Sequence, residues 1–487
     1  MIALTAAEVA ELTGGRLAAG TASTPVTGPV VVDSRAAGPG SLFVALPGER
    51  VDGADHAAGA VAAGASLVLA EREVELPAGA ALVVVEDGVT ALGRLARGVL
   101  ERLRSTGSGP LVVGVTGSQG KTTTKDLLAR VLAPAGPVVA PAGSFNNEIG
   151  APLTVLRADR GTVTLVVEMG ARGLGHIAAL CAIARPDVGV ELVVGAAHAG
   201  EFGSLETTAR AKGELVEALP AEGLAVLNAD DDRVAAMATR TRARVLTFGR
   251  GAHADVRALD VELDALARPR FTLQHGGGRA RVQLQLHGEH QVTNALAAAA
   301  VALGTGRPLE EVAASLSAAT ELSPGRMQVV ERPDGVTVVH DAYNANPDSM
   351  RAALKALVGM AGAGRRTWAV LGEMLELGPA SREEHDLLGR TVVRLDVDQL
   401  LVVGAGARPV YTGAVMEGSW GEEAAFATDV DDALEFLRAR LRPGDVVLVK
   451  SSNGAGLARL ATTLIHDTTA ATPGTPGTGT ETTEASS

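Results

Sequence analysis

Aromatic side chains are nearly missing from this 487-residue chain; Phe, Trp and Tyr together make up 2% of it. Nucleic-acid binders stack bases on such rings and set basic side chains against phosphate. With a formal net charge of -13, the chain lacks both ingredients, and no nucleic-acid partner is expected. Cysteine is scarce as well: Cys181 stands alone, which excludes an internal disulfide framework. No window of about 18 residues is free of charged or strongly polar side chains, the nearest being the Ala-rich run from Ala295 to Leu303, so no membrane-spanning helix is expected. The opening MIALTAAEVAELTGG holds two glutamates and no basic segment ahead of an apolar run. That is not a secretory signal, and the cytoplasm is the expected compartment.

What is plentiful is Ala, Val and Leu, within a hydrophobic fraction of 46%. A chain of this length and composition can bury several aliphatic cores. Short Val-rich strands at Val30 to Val32, Leu42 to Ala45, Leu67 to Leu69 and Leu82 to Val85 alternate with Ala-rich helical stretches, and a helix over Val89 to Leu103 ends in a cluster of turn formers, Ser105 to Pro110. Beyond it, buried-type strands at Leu111 to Val115, Val163 to Val167, Val188 to Val194, Leu224 to Leu227 and Arg244 to Phe248 predict a parallel sheet covered on both faces. Arg270 to Leu286 reads as antiparallel strands, and an Ala-rich helix follows Asn294. A last set of strands lies at Val336 to Val339, Thr367 to Leu371, Gln399 to Val403 and Val446 to Val449.

The expected fold class is therefore α/β in three domains: a small α/β N-terminal domain over 1–106, a central phosphate-loop, parallel-sheet domain over 107–320 and a C-terminal Rossmann-like α/β domain over 321–466. Residues 467–487, rich in Thr, Gly, Pro and Ser, are expected to be a disordered tail.

The strand Leu111 to Val115 runs into Thr116-Gly117-Ser118-Gln119-Gly120-Lys121-Thr122-Thr123-Thr124, and an amphipathic helix follows directly. Gly117 and Gly120 let backbone N–H groups converge on an anion, and the helix N-terminus adds partial positive charge. Lys121 supplies a mobile cation for the outer phosphates, while Thr122 offers magnesium a hydroxyl. The loop departs from the strict G-x-x-x-x-G-K-[ST] pattern, since Val115 stands five residues before Gly120. It predicts nucleotide binding and leaves hydrolysis and ligation equally open.

In a doubly wound sheet, ligands lie at the carboxyl ends of strands. Glu168 ends one strand and places a hard oxygen ligand near the loop. His198 follows another, in a glycine-rich stretch, and by itself reads as an ordinary loop histidine. Lys212, at Ala209 to Glu214, reads by itself as a solvated lysine.

Taken together, these segments resemble the Mur ligase family. Its T-G-[ST]-x-G-K-T-[TS] pattern matches Thr116 to Thr123, S-x-N-N-x-x-G matches Ser144 to Gly150 with Asn146 and Asn147, and E-M-G matches Glu168 to Gly170. The stretches around His198 and Lys212 align too, as do Gly288 to Leu296, Gly325 to Gln328 and Asp341 to Pro347. The resemblance runs from about residue 3 to 466 and implies ATP and magnesium as cofactors, with Thr122, Glu168, His198 and a carbamylated Lys212 holding or orienting metal. An ammonium would repel the metal, whereas the carbamate offers it an anionic oxygen. Asn294 would read adenine, and Arg326 and Asp341 would meet ATP phosphate and ribose.

Asn344 to Pro347 alone is also a good plain turn. Yet the wording Asp341, Tyr343, Asn344, Asn346 and Pro347 is, within the family, that of the branch joining D-alanyl-D-alanine to a UDP-linked muramoyl tripeptide. In that branch the N-terminal stretch with Ser34 and Arg35 resembles a domain that binds the uridine nucleotide, and Leu371 to Gly378 points the same way. The implied reaction activates a carboxylate as an acyl phosphate and hands it to an amine in cell-wall precursor synthesis, by a monomer. Two other readings stand beside it: a sister ligase adding a single amino acid, and a catalytically weakened nucleotide-binding homologue. The second is motivated by Val193 and Asn453, where related sequences carry an Asn and an Arg; Glu191 also occupies a normally apolar place in its strand.

Overall fold

A computed structural model describes residues 1–48, 51–105, 107, 109–195, 203–320, 323–362, 364–418 and 422–467. The terminus expected to be disordered lies, from 468 on, outside the described residues. The chain divides into two compact units. The first holds Met1–Arg326 with Asn346–Ala352 and Leu375–Arg382; the second holds Met327–Ala345, Ala353–Met374 and the chain from Glu383 onward. Among the described residues, no helix is long and apolar enough to cross a membrane.

The first unit carries two larger sheets. One has five strands in the order Arg16–Ala19, Ala81–Val84, Leu67–Ala70, Leu42–Ala45, Val30–Val31, all neighbours parallel but the first pair. Val- and Leu-rich strands of this kind are buried on both faces, as parallel strands between helices are. The helix Gly88–Arg104 starts at Asp87, whose carboxylate accepts the Thr90 N–H at 2.6 Å, a cap contributing about 1 kcal/mol. Leu92, Leu95, Val99 and Leu103 recur along one face and are buried. They belong to a core that runs on through Val112, Leu165, Val167 and Leu215 of the neighbouring sheet, so one continuous cluster holds both sheets in a single unit.

That neighbouring sheet positions the site. Its nine strands lie in the order Gly278–Gln283, Pro269–His275, Val256–Leu263, Arg244–Gly249, Leu224–Asn228, Val188–Glu191, Leu111–Thr116, Thr164–Glu168, Val138–Val139. The neighbours from Val256 onward in that order are parallel; the first two pairings are antiparallel. Both arrangements match the sequence expectation. One strand is shorter than its Val-rich sequence predicts, ending at Glu191 rather than Val194. Beyond it Leu192 N–H still reaches the Thr116 carbonyl at 3.1 Å, and side chains take over: the Leu192 carbonyl accepts from Asn228 Nδ2 at 2.7 Å, Val194 N–H donates to Asp231 Oδ2 at 2.8 Å, and Gly195 N–H to Ser118 Oγ at 2.9 Å.

The second unit has a six-stranded sheet, ordered Gln328–Glu331, Thr337–Asp341, Val446–Lys450, Thr367–Leu371, Gln399–Val403, Ala424–Ala427, antiparallel only at the first pair. Buried Trp368 donates its ring N–H to Asp445 Oδ2 at 3.0 Å, which satisfies the one polar atom of the largest core side chain. Gly389 and Gly413 let two helical segments touch backbone to backbone: a methyl on Gly389 would stand 2.0 Å from the Val410 carbonyl oxygen. Gly389→Ala is therefore expected to destabilise this unit by about 1–3 kcal/mol, read as a lower urea midpoint. An unchanged midpoint would show that the segments part without cost.

Candidate active site

The strand Leu111–Thr116 ends in the glycine loop, and the helix Lys121–Leu132 begins at its far side. Gly120 enters the helix with φ +84°, and a Cβ there would lie 2.3 Å from Asn294 Oδ1, so conformation and close approach both demand glycine. Lys121 folds back over the loop, its Nζ donating to the Gly117 carbonyl at 2.7 Å. Burial pushes its ammonium below the usual lysine range, opposed by nearby Glu168.

Thr122 is the hub. Its hydroxyl donates to Glu168 Oε2 at 3.1 Å and lies 2.9 Å from Ser144 Oγ, which accepts from Arg326 Nη2 at 2.7 Å. Asn146 Nδ2 donates to the other Glu168 oxygen at 2.9 Å. Glu168 pairs in register with Val115, which is how a strand-end carboxylate reaches the loop. A buried carboxylate and two hydroxyls form a hard oxygen set that fits magnesium. Ser144 was not singled out from sequence as a ligand, although it begins the Ser-x-Asn-Asn stretch.

Lys212, read alone as a solvated lysine, is in fact buried. Gly114 and Gly189, register partners on adjacent strands, are both covered by Leu215, so the face they share also receives Lys212 one helical turn earlier. Glu191 and Thr116 are the next pair on that face. Among the described residues neither Glu191 oxygen nor the Thr116 hydroxyl has a hydrogen-bond partner. Burial pushes the Glu191 carboxyl well above the usual range and brings the Lys212 ammonium down to about 7, the latter helped by Lys121. Burial thus favours the uncharged amine of Lys212, the form that reacts with carbon dioxide. His198 lies outside the described residues.

Other expected site residues are engaged locally. Asn147 Oδ1 accepts Gly150 N–H at 2.9 Å at the start of the helix Gly150–Val155, so its side chain supports the backbone. Asn294 accepts from Thr124 Oγ1 at 3.4 Å and donates to Gln291 Oε1 at 2.8 Å. It stands behind Gln291, which lines a small pocket with Thr123, Asp126, Ser323 and Arg326. Ser118 packs onto the strand-end backbone through Val193 O at 2.8 Å, and Gln119 is half-buried beside it. In the second unit, Asp341 accepts Met327 N–H at 3.0 Å and Lys450 Nζ at 2.6 Å, and Lys450 also holds the Asn344 carbonyl at 3.0 Å. Both Asp341 oxygens are therefore in use, and Tyr343 beside it is exposed. Asn346, which belongs to the first unit, accepts Ser349 N–H at 2.9 Å, a turn-forming bond. In the five-stranded sheet's periphery, exposed Arg35 forks onto Asp33 at 2.7 Å, next to Ser34, and holds the Asp33 carboxyl down to about 2. Asn453 is exposed in the turn after Lys450.

A strand, glycine loop and helix with a hydroxyl–carboxylate–guanidinium chain around it define a nucleotide-binding enzyme of the phosphate-loop type. Three family models match: Mur ligase family, catalytic domain, over 29–99; Mur ligase middle domain over 115–302; and Mur ligase, glutamate ligase domain, over 325–453. The chain belongs to the Mur ligase family. It is 54% identical to UDP-N-acetylmuramoyl-tripeptide–D-alanyl-D-alanine ligase of Mycobacterium tuberculosis, across 96% of this chain and 99% of that one. The crystal structure of MurF from Acinetobacter baumannii is similar at a TM-score of 0.84 and 31% identity, covering 96% of this chain and 99% of that one. MurF ligase from Thermotoga maritima in complex with ADP is similar at a TM-score of 0.76 and 30% identity, covering 91% and 98%.

Proposed function

We propose that this protein is an ATP-dependent ligase that joins D-alanyl-D-alanine to UDP-N-acetylmuramoyl-tripeptide through an acyl phosphate, in peptidoglycan precursor synthesis in the cytoplasm. The observation that carries the chemistry is the chain from Arg326 through Ser144 and Thr122 to Glu168, which gathers a cation, two hydroxyls and a carboxylate around the phosphate loop. The names of the relatives and the ADP of one of them support the substrates and the nucleotide. In this reading residues 1–106, 107–320 and 321–466 form the precursor-binding, ATP-binding and C-terminal ligase domains.

The tripeptide carboxylate attacks the γ-phosphorus, the bond to the β-phosphate oxygen breaks, and ADP leaves. Backbone N–H groups of the loop from Gln119 to Thr123 cradle the phosphates, the Ser118 N–H being used on the Val193 carbonyl, while Lys121 leaves the Gly117 carbonyl to meet the outer oxygens. Arg326 adds a second cation from its place on Ser144. Thr122 and Glu168 would hold a first magnesium, and Glu168 with His198 and a carbamylated Lys212 would hold or orient a second; the ions would supply further neutralising charge. The amine of the dipeptide then attacks the acyl carbon, loses a proton, and phosphate leaves. Ser34 and Arg35 serve the uridine nucleotide, and Asn146, Asn147, Tyr343, Asn344 and Asn346 the peptide substrates. Asn294 serves adenine, and Asp341 supports the ATP site.

Phosphate release from ATP is expected only when both the UDP-linked tripeptide and D-alanyl-D-alanine are present. Release with single amino acids in place of the dipeptide would favour the sister ligase, and none with any acceptor would remove the enzymatic reading.

A further inference from the structure

Lys125 lies one helical turn beyond Lys121 and is almost wholly buried, at 2% exposure. A buried ammonium is stable only if its donors are used. It has three, and three acceptors surround it: the Pro141 carbonyl at 3.0 Å, the Ser323 hydroxyl at 3.3 Å and the Asp126 carboxylate at 2.6 Å. Pro141 stands three residues before Ser144, and Ser323 three before Arg326. The tips of those two segments meet, Arg326 on Ser144 and Ser144 on Thr122. One buried cation on the loop's own helix therefore ties down the roots of both segments that converge on Thr122.

We propose that Lys125 is a positioning residue for the reaction, setting Ser144 and Arg326 against Thr122 where the γ-phosphate and its metal are held. It touches no substrate. Its effect is directional: an apolar side chain of similar length fills the same space and leaves the Pro141 and Ser323 segments free to drift. A displacement near 1 Å at reacting groups costs up to about a hundredfold in rate. The proposal rests on the ligase reading only for its rate readout.

The test uses the full chain with Lys125→Met, Ser323→Ala and the double variant. Steady-state phosphate release is measured against magnesium concentration, and calorimetry measures the affinity for a non-hydrolysable ATP analogue with and without magnesium. Lys125→Met is expected to lower kcat at least about tenfold, to raise the magnesium concentration for half-activation several-fold and to shrink the magnesium-dependent gain in nucleotide affinity, with KM for D-alanyl-D-alanine within about twofold of the parent. Ser323→Ala should shift the same quantities less, and the double variant should be no worse than Lys125→Met. General loss of folding would instead lower the active fraction and leave both magnesium dependences alone. A folded Lys125→Met with unchanged magnesium dependence overturns the proposal, as do independent, multiplying losses in the double variant. If Lys125→Met does not fold, Ser323→Ala decides: an unshifted magnesium response refutes the role. If the parent chain turns nothing over, the ligase reading fails, and the calorimetry still decides on Lys125.

Discussion

Lys121→Met is expected to lower kcat for phosphate release by about a hundred- to a thousandfold, with little change in thermal unfolding. Charge spreads onto the phosphoryl oxygens as the γ-phosphoryl group transfers, and a removed donor at such a site costs rates of this order. Methionine keeps the length and helix preference of lysine at the first turn of Lys121–Leu132, so the fold has no reason to respond. The ammonium is bound to the Gly117 carbonyl, a neutral acceptor that it can leave for a phosphate at small cost. Arginine is not a conservative replacement, because its planar fork does not fit the space of a point charge. A loss below about tenfold would mean that the loop binds its anion through backbone N–H groups alone.

Glu191→Val is expected to stabilise the first unit by about 2 kcal/mol, against the usual direction of core substitutions. Both carboxyl oxygens are buried without a hydrogen-bond partner among the described residues, on a strand whose neighbouring positions are Val and Leu. A β-branched residue suits that place. The gain should depend on pH. Because burial raises the Glu191 pKa in the folded state, its contribution is fully present below the unfolded value near 4.3 and is lost as pH rises through the folded value. The advantage of valine should therefore widen as pH is raised above about 4.5. Lys212 runs the other way: with its folded value at about 7 and an unfolded value near 10.4, its contribution is present above the latter and lost as pH falls toward the former. Urea midpoints of the first unit at two pH values would show this. A destabilised variant at both would mean that Glu191 holds a partner in the native protein.

Most strands were legible from sequence to within a residue or two, because runs of Val and Leu bounded by turn formers specify a buried strand without outside help. The strands Arg16–Ala19, Val256–Leu263, Gln328–Glu331 and Ala424–Ala427 were not marked out in this way, and one expected strand stops early. Val193 and Val194 carry every local preference for a strand, yet Asn228, Asp231 and Ser118 hold that backbone in a loop, a tertiary effect outweighing propensity. Lys125 could have drawn notice as a charge on an otherwise core-facing position of its helix. Nothing local marks Pro141 or Ser323 as its partners.

The phosphate loop, the parallel-sheet class and the family wording from Thr116 to Pro347 were all determined by the sequence itself, since each depends on residues a few positions apart. Tertiary structure alone decided the rest: that Glu168, Thr122, Ser144 and Arg326 form one chain, that Lys212 is buried rather than solvated, and that Asp341 is held by Lys450 and the Met327 backbone. Those groups are brought together by packing between segments far apart in the chain. Whether a polar side chain is solvated, paired or orphaned is set by its final neighbours, which no local pattern specifies.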